Sequence, residues 1–91
     1  MRIDIRYIRD LFSILIENDD SYFTIEHPDI ERLLNEDEKN FIFHMEILRD
    51  KGVIENLDGS RDLGFRQKGD GTFCFVIMSL RITAKGHKFE W

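Results

Sequence analysis

The stretch Leu80-Arg81-Ile82-Thr83-Ala84-Lys85-Gly86-His87-Lys88-Phe89 constrains the fold more than any other. Its first residues alternate as a strand does. Thr83 then offers a hydroxyl suited to starting a helical turn. A second stretch complements it. In His44-Met45-Glu46-Ile47-Leu48-Arg49-Asp50-Lys51-Gly52-Val53-Ile54-Glu55 a helical pattern ends at a glycine and passes into β-branched residues. A helix stopped by Gly52, a strand, a hairpin, a longer strand and a closing helical turn leave few ways to fold so short a chain.

Three helices are expected ahead of the sheet. The first spans about residues 4–17, with Ile8, Leu11, Phe12, Leu15 and Ile16 as its apolar stripe. Asn18-Asp19-Asp20-Ser21 breaks it, because short polar side chains compete for backbone hydrogen bonds. Tyr22-Phe23-Thr24-Ile25 reads as a short extended piece. A second helix follows His27-Pro28, since proline suits a first turn, and buries Ile30, Leu33 and Leu34. The third starts from Asn35 as cap, with Glu38 as capping-box partner and Glu36, Asp37 and Glu38 as an acidic first turn. Phe41, Met45 and Leu48 form its buried stripe, flanked by Ile42 and His44.

The remainder is sheet. Residues 53–55 form a short strand, and 56–60 have turn chemistry. Residues 63–67 and 72–82 pair across Lys68-Gly69-Asp70-Gly71, a glycine-rich hairpin tip. Period-2 alternation places Cys74, Val76, Met78, Leu80 and Ile82 on the core face. Phe73, Phe75, Ile77, Ser79 and Arg81 fall on the other. The element order predicts one α+β domain over residues 1–91, a winged helix-turn-helix. Three helices lead into a small antiparallel sheet with a hairpin wing and a short closing helix.

The composition narrows the classes of function. The 91 residues are 42% apolar, enough for one core. The single cysteine excludes an internal disulfide framework. Met1 is followed by charges at Arg2, Asp4 and Arg6, and no apolar run approaches the ~20 residues of a membrane span, so a cytoplasmic protein without a leader is expected. The formal charge of −5 removes the general attraction that a basic domain has for nucleic acid or an anionic membrane.

The middle and closing motifs resemble those of a group of short bacterial and phage proteins catalogued only as a domain of unknown function. His44, Leu48, Gly52, Val53 and Ile54 match its His-x-x-x-Leu-x-x-x-Gly-Leu-Ile helix, and Ile82, Thr83, Gly86, His87 and Phe89 match its closing Leu-Thr-x-x-Gly-His-x-Phe. Ala84 stands where an aromatic is common, and Glu90-Trp91 replaces Leu-Asp. The resemblance implies a winged-helix fold and a phage or mobile-element setting within a bacterial cell. It implies no mechanism.

Two kinds of surface compete. Protein recognition or self-association would use the apolar outer stripe Phe73, Phe75 and Ile77, together with the third helix. That stripe could instead be covered by the N-terminal segment or by residues 22–25. DNA binding, the alternative, would use Lys39, Asn40, Arg49 and Lys51 on the third helix and Arg61, Arg66 and Lys68 on the wing. The acidic helix start, with Asp58, Asp62 and Asp70 beside the wing, opposes it. Arg2, Arg6 and Arg9 read as a solvated helix face paired with Asp4 and Asp10, against a minor reading as an anion patch.

No catalysis is expected. His27, His44, His87 and Cys74 lack metal-ligand spacing, and Gly69-Asp70-Gly71 joins strands rather than opening a phosphate-binding helix. The expectation is therefore a non-enzymatic binding module with no cofactor, no metal and no small-molecule substrate. Its partner would be a protein or a second copy.

Overall fold

Asp4 decides where the chain first becomes helical. In the computed structural model, which describes residues 2–89, the Tyr7 N–H donates to Asp4 Oδ1 at 3.0 Å. Helix α1 follows over Ile5–Glu17 and buries Ile8, Leu11, Phe12 and Leu15. Ile16, expected in the same stripe, is 39% exposed. The buried arc is narrower than the run of apolar residues.

Helix α2 spans Pro28–Glu36 and helix α3 spans Glu38–Asp50. Asn35 does not start α3, because it still lies within α2. Asp37 leaves helical geometry instead, at φ −159° and ψ 90°, and its carboxylate accepts from the Asn40 N–H at 3.2 Å. Asparagine and aspartate cap about equally well, so packing decides between them. Helix α2 runs on through Asn35 and Glu36, and its buried residues are Ile30 and Leu34. The acidic run is thereby divided, with Glu36 closing α2, Asp37 acting as joint and Glu38 entering α3.

Helix α3 buries Phe41, Ile42, His44, Met45 and Leu48. It stops in a Schellman arrangement, in which the Val53 N–H donates to the Leu48 carbonyl at 3.2 Å and the Gly52 N–H to Arg49 at 2.9 Å. Both apolar partners of that turn, Leu48 and Val53, are fully buried.

Strands β1 (Ile54–Asn56), β2 (Phe65–Gln67), β3 (Phe73–Phe75) and β4 (Leu80–Ile82) follow, and α4 (Ala84–His87) closes the fold. β1 pairs antiparallel with β4, with Ile54 opposite Ile82 and Asn56 opposite Leu80. Phe23 bridges the other edge of β4, exchanging backbone bonds of 2.8 and 2.9 Å with Leu80. β2 pairs antiparallel with β3, with Phe65 opposite Phe75, as a separate two-stranded ribbon.

The expected long strand over 72–82 is therefore two strands, and the face expected to be inward is outward in the first of them. Phe73 and Phe75 pack against the core, whereas Cys74 is exposed and Val76 is 45% exposed. Leu80 and Ile82 remain buried. A strict period of two cannot bury both pairs, because one is odd-numbered and the other even-numbered. Residues 76–79 lie outside the strands and absorb the change of face. Gly64 marks the site of the change, at φ +87° with its carbonyl accepting from the Val76 N–H at 2.8 Å. A Cβ there would lie 2.0 Å from the Val76 carbonyl oxygen.

The two sequence motifs meet at one corner. Thr83 Oγ1 donates to the Gly52 carbonyl at 2.7 Å and accepts from the Gly86 N–H at 3.0 Å. The Thr83 N–H donates to the Val53 carbonyl at 3.0 Å. Gly86 presses so close that a Cβ would stand 2.3 Å from that same carbonyl oxygen. The whole is an α+β arrangement of helices followed by a small antiparallel sheet, compatible with a winged-helix-like order.

Candidate functional site

The hairpin leans toward α3 and leaves a groove of about 420 Å³ between them. Phe73 from β3, with Ile42 and Phe43 from α3, makes it apolar. Lys39, Glu46 and Gln67 line it with polar groups, and Gly71 lies at the hairpin end. The helical spacing of Lys39, Phe43 and Glu46 puts them on one side of α3. Ile42 is 3% exposed and anchors that wall in the core.

The expected stripe of Phe73, Phe75 and Ile77 is not a single outer face. The Phe75 ring meets Phe65 edge-on at 5.6 Å, and Phe65 meets Phe41 at 6.2 Å. Those rings link the hairpin to the core. Ile77 alone of the three is strongly exposed, at 46%, beside Val76.

Most of the candidate DNA contacts are engaged within the molecule. Arg49 pairs with Glu46 and Asp50, and Arg61 also pairs with Asp50. Arg66 grips Asp62 with two nitrogens, at 2.9 and 2.8 Å. That bidentate bond, with a further one from the Gly64 N–H, holds the Asp62 carboxyl down at about 2. Lys51 Nζ lies 5.8 Å from the centre of the Phe89 ring. Asn40 is half-buried and serves the start of α3 through its backbone. Lys39 and Lys68 are exposed and make no ion pair among the described residues.

The histidines are spread apart. His44 is fully buried and joins two helices, as the Asp4 N–H donates to its Nε2 at 2.9 Å and its Nδ1 lies 2.8 Å from the Asn40 carbonyl oxygen. A carbonyl can only accept, so Nδ1 carries the hydrogen and the ring is neutral. Tyr7 and Phe43 flank it, with ring centres at 4.8 and 5.1 Å. Burial pushes the Tyr7 phenol up to about 12, with Asp37 and Glu36 adding to the effect. His27 caps α2 by accepting from the Asp29 N–H at 3.3 Å. His87 Nε2 faces Asp19 Oδ2 at 3.5 Å. Among the described residues no group of three or more histidine, cysteine or acidic side chains could hold a metal ion.

One feature escaped the sequence reading. A cavity of about 770 Å³ opens at the far end of α1, lined by Glu17, Asp19, Asp20, Tyr22 and Glu26 among others. The density of carboxylates over residues 17–26 was the available signal. Arg6 and Arg9 are exposed on α1, but the Asp4 carboxylate serves the Tyr7 N–H rather than an arginine.

No protein-family model, curated protein or solved structure matches the chain.

Proposed function

We propose that the chain is a winged-helix binding module that acts by protein recognition or self-association, without catalysis. The β1–β4 pairing with the Phe23 bridge would supply the small sheet of such a fold, α2 and α3 the helix pair, and the β2–β3 hairpin the wing. The observation that carries the reading is the surface shared by α3 and the hairpin. Phe43 and Phe73 give it apolar area, while the candidate arginines outside the groove, Arg49, Arg61 and Arg66, are held by neighbouring carboxylates. Phosphate contacts supply most of the affinity that DNA-binding domains have for any duplex. Arginines held by their own aspartates would have to give up those bonds first. Apolar and aromatic area beside a polar rim suits a protein surface better.

The alternative, a sequence-specific DNA-binding regulator, keeps Lys39 and Lys68 as exposed cations. Fluorescence anisotropy with a pool of labelled duplexes at low and near-physiological salt separates the two readings. Protein recognition predicts no binding that survives the higher salt. Sub-micromolar binding that persists there for only some duplexes would establish the regulator instead. Sedimentation equilibrium then reads self-association directly. If copies pair through this surface, Phe43→Glu dissociates them while the circular dichroism spectrum stays unchanged.

A further inference from the structure

We infer that the groove between α3 and the hairpin is closed by a second copy of this chain, whose α3 lies antiparallel to the first across a two-fold axis near Phe43. Such a dimer rests on the protein-recognition reading and narrows it to self-association in one register. Lys39, Phe43 and Glu46 line the groove from one side of α3. Seven residues fall within about 20° of two full turns, so Lys39 and Glu46 stand nearly in line on the helix, about 10 Å apart along its axis. Phe43 lies between them. The strip therefore reads cation, aromatic, carboxylate. A two-fold interface must complement itself, because the same patch serves both copies. This strip does so when one copy is turned end for end. Lys39 then faces Glu46 of the second copy, twice over, and the two Phe43 rings meet at the axis. A parallel arrangement would set lysine against lysine and glutamate against glutamate.

The charges of the strip are those the fold leaves available. Lys39 is exposed and makes no ion pair among the described residues. The Glu46 side chain is 44% exposed and meets Arg49 at 3.6 Å, beyond hydrogen-bond length. Arg49 has a closer partner in Asp50, at 3.2 Å. Asp50 lies one turn further along the same side of α3, but Arg49 and Arg61 already hold it, so it adds no free charge. Antiparallel packing also sets the positive start of each helix beside the negative end of the other. A segment of one charge sign would leave either Lys39 or Glu46 unanswered. The second copy answers both and brings its own aromatic ring to the apolar centre that Ile42, Phe43 and Phe73 provide.

The test is sedimentation equilibrium of the full chain at physiological ionic strength, where salt largely screens the −5 charges of two copies from each other. The wild type should be a dimer. Lys39→Glu and Glu46→Lys should each weaken it about tenfold or more, since each sets two like-charge pairs across the axis. Circular dichroism of each variant checks that the fold is kept. An equal mixture of the two variants should recover the dimer, because every facing pair is then opposite in sign again. Neither chain changes on mixing, so that recovery reports the register and not the fold. A monomeric wild type would overturn the dimer and leave recognition of another protein standing. A dimer indifferent to both variants would overturn the groove as its interface. Loss in both variants without recovery in the mixture would overturn the antiparallel register. The protein-recognition reading itself fails by a separate readout, salt-resistant binding to particular duplexes, so the two failures are told apart.

Discussion

The two antiparallel ribbons have strands of equal length and opposite circumstances. β1 and β4 bury Ile54, Leu80 and Ile82, and Phe23 bridges the free edge of β4. β2 and β3 are half-exposed, with Cys74, Arg66 and Gln67 in solvent. The first ribbon is therefore part of the core, and the second is attached to it through Phe65 and Phe75. A two-stranded hairpin is at best marginal in water on its own, so the second depends on that attachment. Pairing geometry alone says little about stability. What each strand rests against decides it.

Leu80→Ala should break the first ribbon most severely. Leu80 is fully buried and joined to both Phe23 and β1, so a loss of about 2–5 kcal/mol is expected by urea denaturation. Phe75→Ala, on the half-exposed ribbon, should cost clearly less in the same measurement. A larger loss than at Leu80 would mean that the hairpin holds the core rather than the reverse. Gly64→Ala should cost about 1–3 kcal/mol, because it forces a side chain onto a positive φ against the Val76 carbonyl. Hydrogen exchange should show the loss concentrated in hairpin amides, with β1 and β4 still protected. Thr83→Ala removes a helix cap and the bond to Gly52, for about 1 kcal/mol, and should loosen the β4–α4 corner alone.

The smallest effect is electrostatic. Arg66 and the Gly64 N–H depress the Asp62 carboxyl from 3.8 to about 2. A folded value below the unfolded one favours the folded state above about pH 4, and the benefit fades as pH falls toward the folded value. The pair is solvent-exposed, so the effect on overall stability is slight. Carboxyl carbon shifts should show Asp62 titrating late in the wild type and closer to the ordinary aspartate value in Arg66→Ala, with the Gly64 N–H still holding it somewhat below. An unchanged midpoint would remove Arg66 as the cause.

The contrast between the ribbons also explains what the sequence disclosed. Helix starts at Asp4 and Pro28, the stop at Gly52 and the turn at Thr83 are local signals, and each appears in place. The Asn35–Asp37 choice was not legible, since both residue types cap and only packing distinguishes them. The change of face between Phe75 and Leu80 was hidden because each half alternates correctly by itself. Arg61 meeting Asp50, and Asp19 meeting His87, depend on how distant segments come together. The carboxylates that line the open cavity at the end of α1 are plain in the sequence, but their convergence is not.

Helix α3 also serves as a gauge. The His44 ring receives the Asp4 N–H at the start of α1, and the Gly52 carbonyl just beyond α3 receives the Thr83 hydroxyl at the start of α4. About two helical turns separate the attachments, and one added residue between them would swing the second by about 100° relative to the first. Residue changes on the outer face of this rod leave both attachments in place. Changes in its length cannot, so insertions and deletions in relatives of this chain should fall in the hairpin tip and spare the interval from His44 to Gly52.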